Sequence, residues 1–255
     1  MLASSYAGIS YEAWSLLFGC IQTVTVFTAL VFGISQLRIV QRQRSAESLS
    51  SMHTEWREIE SEAMYLLYDV PAFRGSLDDR ASQLVDWLAS NTRPSSSPPD
   101  GQQQCEKYLE YAPLVINALS NLSAYLENSA LREKALFSQM HTRLLEIYYA
   151  LEPYILLVSY SRQSRWGLRV RRLGIGAARY HLRSRVQAAY GLSLRGVNIL
   201  PEIRSGISDL PRGGKTFIPG MRQCAERDRR DMDRIGSIAA QHVEWERVAE
   251  ILRKV

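Results

Sequence analysis

The longest uninterrupted apolar pattern runs from Ala13 to Leu37, AWSLLFGCIQTVTVFTALVFGISQL, between Glu12 and Arg38, with no formal charge inside it. As a helix it is about 37 Å long at roughly 1.5 Å per residue, enough to cross a hydrocarbon core of about 30 Å. The pattern predicts a short segment 1–12, a transmembrane helix 13–37 and a body 38–255. Thr23, Thr25 and Thr28 suit lipid because a threonine hydroxyl can bond back to a helix carbonyl. Gln22 is costlier at depth; it is either simply tolerated there or makes a polar contact with another span. Gly19 and Gly33 are too far apart for a GxxxG seam.

Beyond Arg38 the period stays helical. No Pro or Gly occurs between Arg38 and Pro71, and Leu49, Met52, Trp56, Ile59, Ala63 and Leu66 are spaced 3, 4, 3, 4, 3. That is an a/d seam, predicted to pack on the protein's own helices, with a parallel dimer seam as the alternative. Pro71 and Gly75 break it. Ser76 followed by Asp78 and Asp79 reads as a helix cap with acids in the first turn, and Leu77, Leu84, Val85 and Leu88 make its apolar face. The stretch 91–104, NTRPSSSPPDGQQQ, has no apolar residue and is predicted to be a flexible loop within one helical body.

Leu109, Ala112, Val115, Ile116, Leu119, Leu122 and Leu126 then form a stripe, with Pro113 near the start of that helix or kinking it. After a turn at Glu127–Ser129 a second stripe follows: Leu131, Ala135, Leu136, Met140, Leu144, Ile147, Tyr148 and Leu151. The two predict an antiparallel helical hairpin. The apolar run Tyr154–Tyr160 is too short to span a membrane and reads as buried core. Residues 191–220 read as an irregular connection with one short helix near Glu202–Ile207. A final helix is expected from about Pro219 to Arg253, with an i,i+4 pair from Glu226 to Arg230. The fold class is therefore all-α.

Charge changes this picture at one place. The net charge is only +5, but no acidic residue lies between Pro153 and Pro201. That interval holds Arg162, Arg165, Arg169, Arg171, Arg172, Arg179, Arg183, Arg185 and Arg195, interleaved with Trp166, Leu168, Val170, Leu173, Ile175, Tyr180 and Leu182. Three destinations are open to the arginines. They can pair internally with Glu55–Glu62, Asp69, Asp78, Asp79 and Asp86. They can face anionic lipid head groups, or a nucleic-acid backbone or other acidic partner. Among the external partners the membrane is preferred, because the anchor already holds the body near it. The first eight, Arg162 to Arg185, are the candidate anionic-surface residues.

The flanks predict orientation. The segment 1–12 has no Lys or Arg, whereas Arg38, Arg42 and Arg44 follow the span. By the positive-inside rule the N-terminus faces outward and the body is cytoplasmic. A cleaved signal peptide would need a basic n-region and a shorter apolar core. Cys20, Cys105 and Cys224 are isolated and suggest neither zinc nor a disulfide framework.

Other motifs are weak. Gly213-Gly-Lys-Thr resembles part of a phosphate loop, but Asp209 stands where that motif needs glycine. His53-Thr-Glu-Trp56 and His242-Val-Glu-Trp245 share H-x-E-W, a spacing that puts His and Glu on different helix faces. His141 and His181 lie on expected helices without a partner carboxylate at a metal-binding spacing. No catalytic, cofactor or metal residues are assigned.

The span ending in Ser35-Gln-Leu-Arg38, then Gln41-Arg-Gln-Arg44 and a helix through Trp56, resembles a group of uncharacterised bacterial single-span membrane proteins with a helical domain. ALSNLSAYLENSALREKALF and LEIYYALEPYILLVSYSRQ resemble the second half of that domain. The resemblance implies a bacterial inner membrane and supplies no catalytic residues. The expected role is a membrane-tethered, non-enzymatic interaction or regulatory module acting with a protein partner or a second copy of itself. The alternatives are an anchored nucleic-acid binder using 162–195, a hydrolase with a dispersed site, and a self-associating pore with Gln22 and Gln36 lining the span.

Overall fold

The computed structural model describes residues 11–92, 99–127, 133–184, 192–207, 217–219 and 221–254. Among them the chain is all-α except for one two-residue hairpin. The elements are α1 Tyr11–Tyr68, α2 Leu77–Asn91, α3 Pro99–Glu127, α4 Glu133–Ser161, α5 Leu168–Arg183, β1 Ser193–Leu194, β2 Val197–Asn198, α6 Leu200–Ile207, α7 Met221–Ala240 and α8 Trp245–Lys254. The chain divides into two units, 1–47 and 48–255.

In the first unit Trp14–Leu37 is a helix long and apolar enough to cross a membrane, as a span or a signal helix, and none of it is buried against protein. Leu16, Phe18, Phe27 and Phe32 are all exposed. Each threonine hydroxyl is taken up locally: Thr23 donates to Gly19 O, Thr25 to Ile21 O and Thr28 to Val24 O, all at 2.8 Å. The helix thus meets its solvent with its threonine hydroxyls already satisfied, as an apolar medium requires.

The second unit is built around α4, which packs against α2, α5, α7 and α8. Every residue from Leu151 to Ser159 is buried, because neighbours cover α4 on all sides rather than along one stripe. Two glycines let other helices come close. A Cβ on Gly174 of α5 would lie 2.2 Å from Tyr148 Cγ, and one on Gly236 of α7 would lie 2.2 Å from Tyr160. Two aromatic side chains of α4 therefore occupy the space that side chains would take on its neighbours.

The seam at the end of α1 packs on the body, as expected: Ala63 and Leu66 are buried, and Trp56 and Ile59 lie against the core. The side chains of Leu49 and Met52 lie outside the described residues, as do those of Arg38, Arg42 and Arg44. α2 begins as predicted, with a capping box in which Ser76 accepts from the Asp79 N–H and Asp79 accepts from the Ser76 N–H. The stripes of α3 and α4 are buried, from Ala112 to Leu126 and from Leu136 to Leu151. The turn after Glu127, with Leu131, lies outside the described residues.

Three expectations need correction. The loop 91–104 is shorter, because α3 already starts at Pro99. A proline at a helix start has a preset φ, and Asp100 in the first turn favours the helix dipole. Of the two places left open for Pro113, the interior of that helix and not its start is the one observed. The expected final helix from Pro219 to Arg253 is two helices. Around 241–244 the i→i−4 ladder gives way to i→i−3 bonds, Gln241 N to Ile238 O and His242 N to Ala239 O. The break turns α8 so that Trp245, Val248, Ala249 and Leu252 are buried. The connection before α6 contains β1 and β2, paired antiparallel through Leu194 and Val197. The motif Gly213–Thr216 lies outside the described residues.

Candidate functional site

The chemistry of the body starts from a proline. Pro153 inside α4 has no N–H to give the carbonyl of Tyr149, one turn earlier. Arg80 of α2 supplies the missing donor: its Nη1 bonds Tyr149 O, its Nη2 bonds Glu152 at 2.9 Å, and its guanidinium lies 3.9 Å above the Tyr149 ring. Glu152 also accepts from the Tyr148 hydroxyl at 2.6 Å and from Arg171 at 3.2 Å. Arg171, fully buried, reaches on to α7, donating to Asp228 at 2.5 Å and Asp231 at 2.6 Å. Arg227 joins Asp231 at 3.4 Å.

The result is a buried network joining α2, α4, α5 and α7, with Arg80, Arg171 and Arg227 against Glu152, Asp228 and Asp231. Burial alone would raise the Glu152 pKa, but Arg171 and Arg80 reverse that and hold it at about 2. Burial also works against the Arg171 charge, and Tyr148, Glu152, Asp228 and Asp231 together raise its pKa instead. Asp228 goes the other way: burial raises it more than Arg171 lowers it.

The eight candidate arginines separate. Arg171 is the centre of the buried network, so it is not available to an external surface. Arg179 is also buried, with Nη1 on Phe217 O at 3.3 Å. Arg162 donates to Leu252 O at 3.2 Å in the last turn of α8, and Arg253 returns the contact to Ser161 O at the end of α4. Arg195, beyond the eight, donates to Leu67 O at the end of α1, and Arg247 to Ala89 O near the end of α2. None of α1, α2 and α4 has a basic residue in its own last turn, so arginines from elsewhere serve their carbonyls. Arg183 is exposed, with its guanidinium 5.4 Å from the Phe217 ring, and Arg185 lies outside the described residues.

Arg165, Arg169 and Arg172 converge. With Arg229 from α7 they line a groove of about 550 Å³. Its rim includes the first turn of α5, whose N-cap is Gly167 in a left-handed conformation with no side-chain cap. Arg172 is tied to Glu127 at 2.5 Å and to Pro219 O. Arg165 makes no ion pair among the described residues. Arg169 reaches Glu127 only at 3.9 Å, and Arg229 reaches Asp233 at 3.8 Å. Such long exposed contacts are weak and leave the cations free to exchange partners.

Most of the internal acids expected for the arginines were the wrong ones, although the Asp69 charge does favour the Arg195 cation. Glu152, Asp228, Asp231 and Glu127 take the partners, whereas Asp78 pairs with Arg234 and Asp86 with His242. His53 meets Gln139, so the two H-x-E-W stretches do different local jobs. His141 and His181 face one another with ring centres 5.4 Å apart, both buried. His141 Nδ1 bonds Phe137 O, and both nitrogens of His181 lack a hydrogen-bond partner. Burial lowers the pKa of each, and for His181 the neighbouring His141 lowers it further. Among the described residues no cluster of three His, Cys, Asp or Glu side chains is placed to hold a metal.

A second, larger cleft of about 680 Å³ lies between α2, α4, α6 and α7, lined among others by Arg80, Glu152, Glu202, Arg227 and Arg230. Sequence reasoning missed it, because its cations come from α2 and α7 and not from the acid-free interval. No known protein family matches the chain, and no curated protein or solved structure does either.

Proposed function

We propose that the protein is a non-enzymatic interaction module tethered in a bacterial inner membrane by 13–37, with its N-terminus outside and its body in the cytoplasm. The body recognises anionic lipid head groups through the Arg165, Arg169, Arg172 and Arg229 groove. The observation that carries this reading is the convergence of those four arginines beside the uncapped start of α5. A helix N-terminus adds partial positive charge to the guanidinium groups, and both favour a phosphate. The exposed apolar helix supports the tether, and the arginine-free 1–12 flank supports its orientation.

The test is native mass spectrometry of the full-length protein released from membrane, beside an Arg165→Glu, Arg169→Glu, Arg229→Glu variant. The wild type retains phosphatidylglycerol and the variant loses it. Equal anionic lipid on both refutes the groove. Nucleic acid bound only to the wild type favours the anchored nucleic-acid binder, and a single lipid-independent oligomer favours the self-associating reading.

A further inference from the structure

We infer that the cleft between α2, α4, α6 and α7 binds a small phosphorylated molecule that carries hydroxyl donors, the class of ribose and sugar phosphates. Its volume of about 680 Å³ falls within the roughly 300–1,000 Å³ usual for small-molecule sites. The inference stands on this cleft and not on the α5 groove.

Four arginines line the cleft, and two of them are already committed. Arg80 holds Tyr149 O and Glu152, and Arg234 bridges Asp78 at 3.2 Å and Asp231 at 3.5 Å. Of the other two, Arg227 belongs to the buried network but keeps one donor open, and Arg230 lies outside it. Arg227 uses Nε on Asp231, while its Nη1 is buried without a hydrogen-bond partner. Arg230 makes no ion pair among the described residues, and it sits three positions on, beside Arg227 along α7. The α6 wall offers the complement. Glu202 has a buried Oε2 with no partner. It lies one turn before Gly206, where a Cβ would come within 3.8 Å of Arg227 Nη2.

Arg227 and Glu202 both line the cleft, and each keeps one polar atom without a hydrogen-bond partner, so a ligand that carries both an acceptor and a donor complements the pair. The guanidinium forks of Arg227 and Arg230 match the geometry of a phosphate. A carboxylate accepts from sugar hydroxyls, as acidic residues do toward ribose. A simple anion would satisfy the arginines and leave Glu202 facing it with like charge. A neutral polyol would satisfy Glu202 and leave the arginines open. A molecule with both groups answers both walls.

The experiment is calorimetry on the full-length protein in nanodiscs of neutral phosphatidylcholine, with ribose 5-phosphate, inorganic phosphate and ribose as probes. Ribose 5-phosphate binds more tightly than either fragment. Arg230→Ala weakens it by about tenfold or more, the loss of a charge-assisted contact. Glu202→Gln weakens ribose 5-phosphate and leaves inorganic phosphate unchanged or tighter. Thermal unfolding of each variant checks that the body is intact. Arg165→Glu with Arg169→Glu leaves ribose 5-phosphate binding unchanged. The inference fails if ribose 5-phosphate gives no heat up to about 10 mM, a concentration above which affinity is negligible. It fails equally if folded Arg230→Ala and Glu202→Gln bind like wild type, or if the α5 groove variant abolishes binding.

Discussion

Arg171 of α5 donates to Glu152 of α4 at 3.2 Å, with the two side chains 0% and 8% exposed. This contact joins the central helix to a cation that also holds Asp228 and Asp231 of α7. A buried pair adds little over apolar packing, but removing one partner leaves charge uncompensated. Arg171→Ala should therefore lose about 3–5 kcal/mol of stability, read by chemical denaturation of the full-length protein in detergent. Arg169→Ala, an exposed cation, should show no measurable loss.

Acid should lower the stability of the body over two pH windows. His141 and His181 have pKa values below the ordinary 6.5 because they are buried. The unfolded chain then binds more protons, so their contribution is present above pH 6.5 and is lost as pH falls through their lowered values. Glu152 goes from 4.5 to about 2 on folding. Its contribution is present above pH 4.5 and is lost as pH falls toward 2, while Asp228, raised by burial, opposes it. Thermal unfolding against pH checks both windows. His181→Leu should flatten the upper one and Glu152→Gln the lower.

Glycine positions on α5 and α7 should tolerate no side chain. Gly174→Ala and Gly236→Ala each push a methyl into the ring of Tyr148 or Tyr160, and each should cost about 1–3 kcal/mol by overpacking. Gly206→Ala has its nearest neighbour at 3.8 Å, the end of an arginine side chain. It should leave the melting temperature unchanged or raise it, since alanine favours a helix.

Val26 is exposed in the middle of the apolar helix. Val26→Arg should disfavour insertion by about 2.5–3.5 kcal/mol, the cost of a charge at a span centre. Carbonate extraction of membranes should then release a larger share of the variant than of wild type.

Helical class and the position of the apolar helix were legible in the sequence, because periodicity and length are local properties that any tertiary arrangement must respect. The cap at Ser76, the back-bonded threonines and the stripes of α2, α3 and α4 follow from neighbours within about four residues along the chain. The boundary at Pro99 and the break before Trp245 were missed, since a polar composition suits a helix start as well as a loop, and mixed charge hides a turn. The destinations of the arginines were decided only by the tertiary structure. Arg171 and Arg165 belong to the same acid-free interval, yet one is sealed against three carboxylates and the other lines an open groove. Charge along a chain states how many partners are needed. Which ones are met depends on contacts between α2, α4, α5 and α7 whose residues are tens of positions apart.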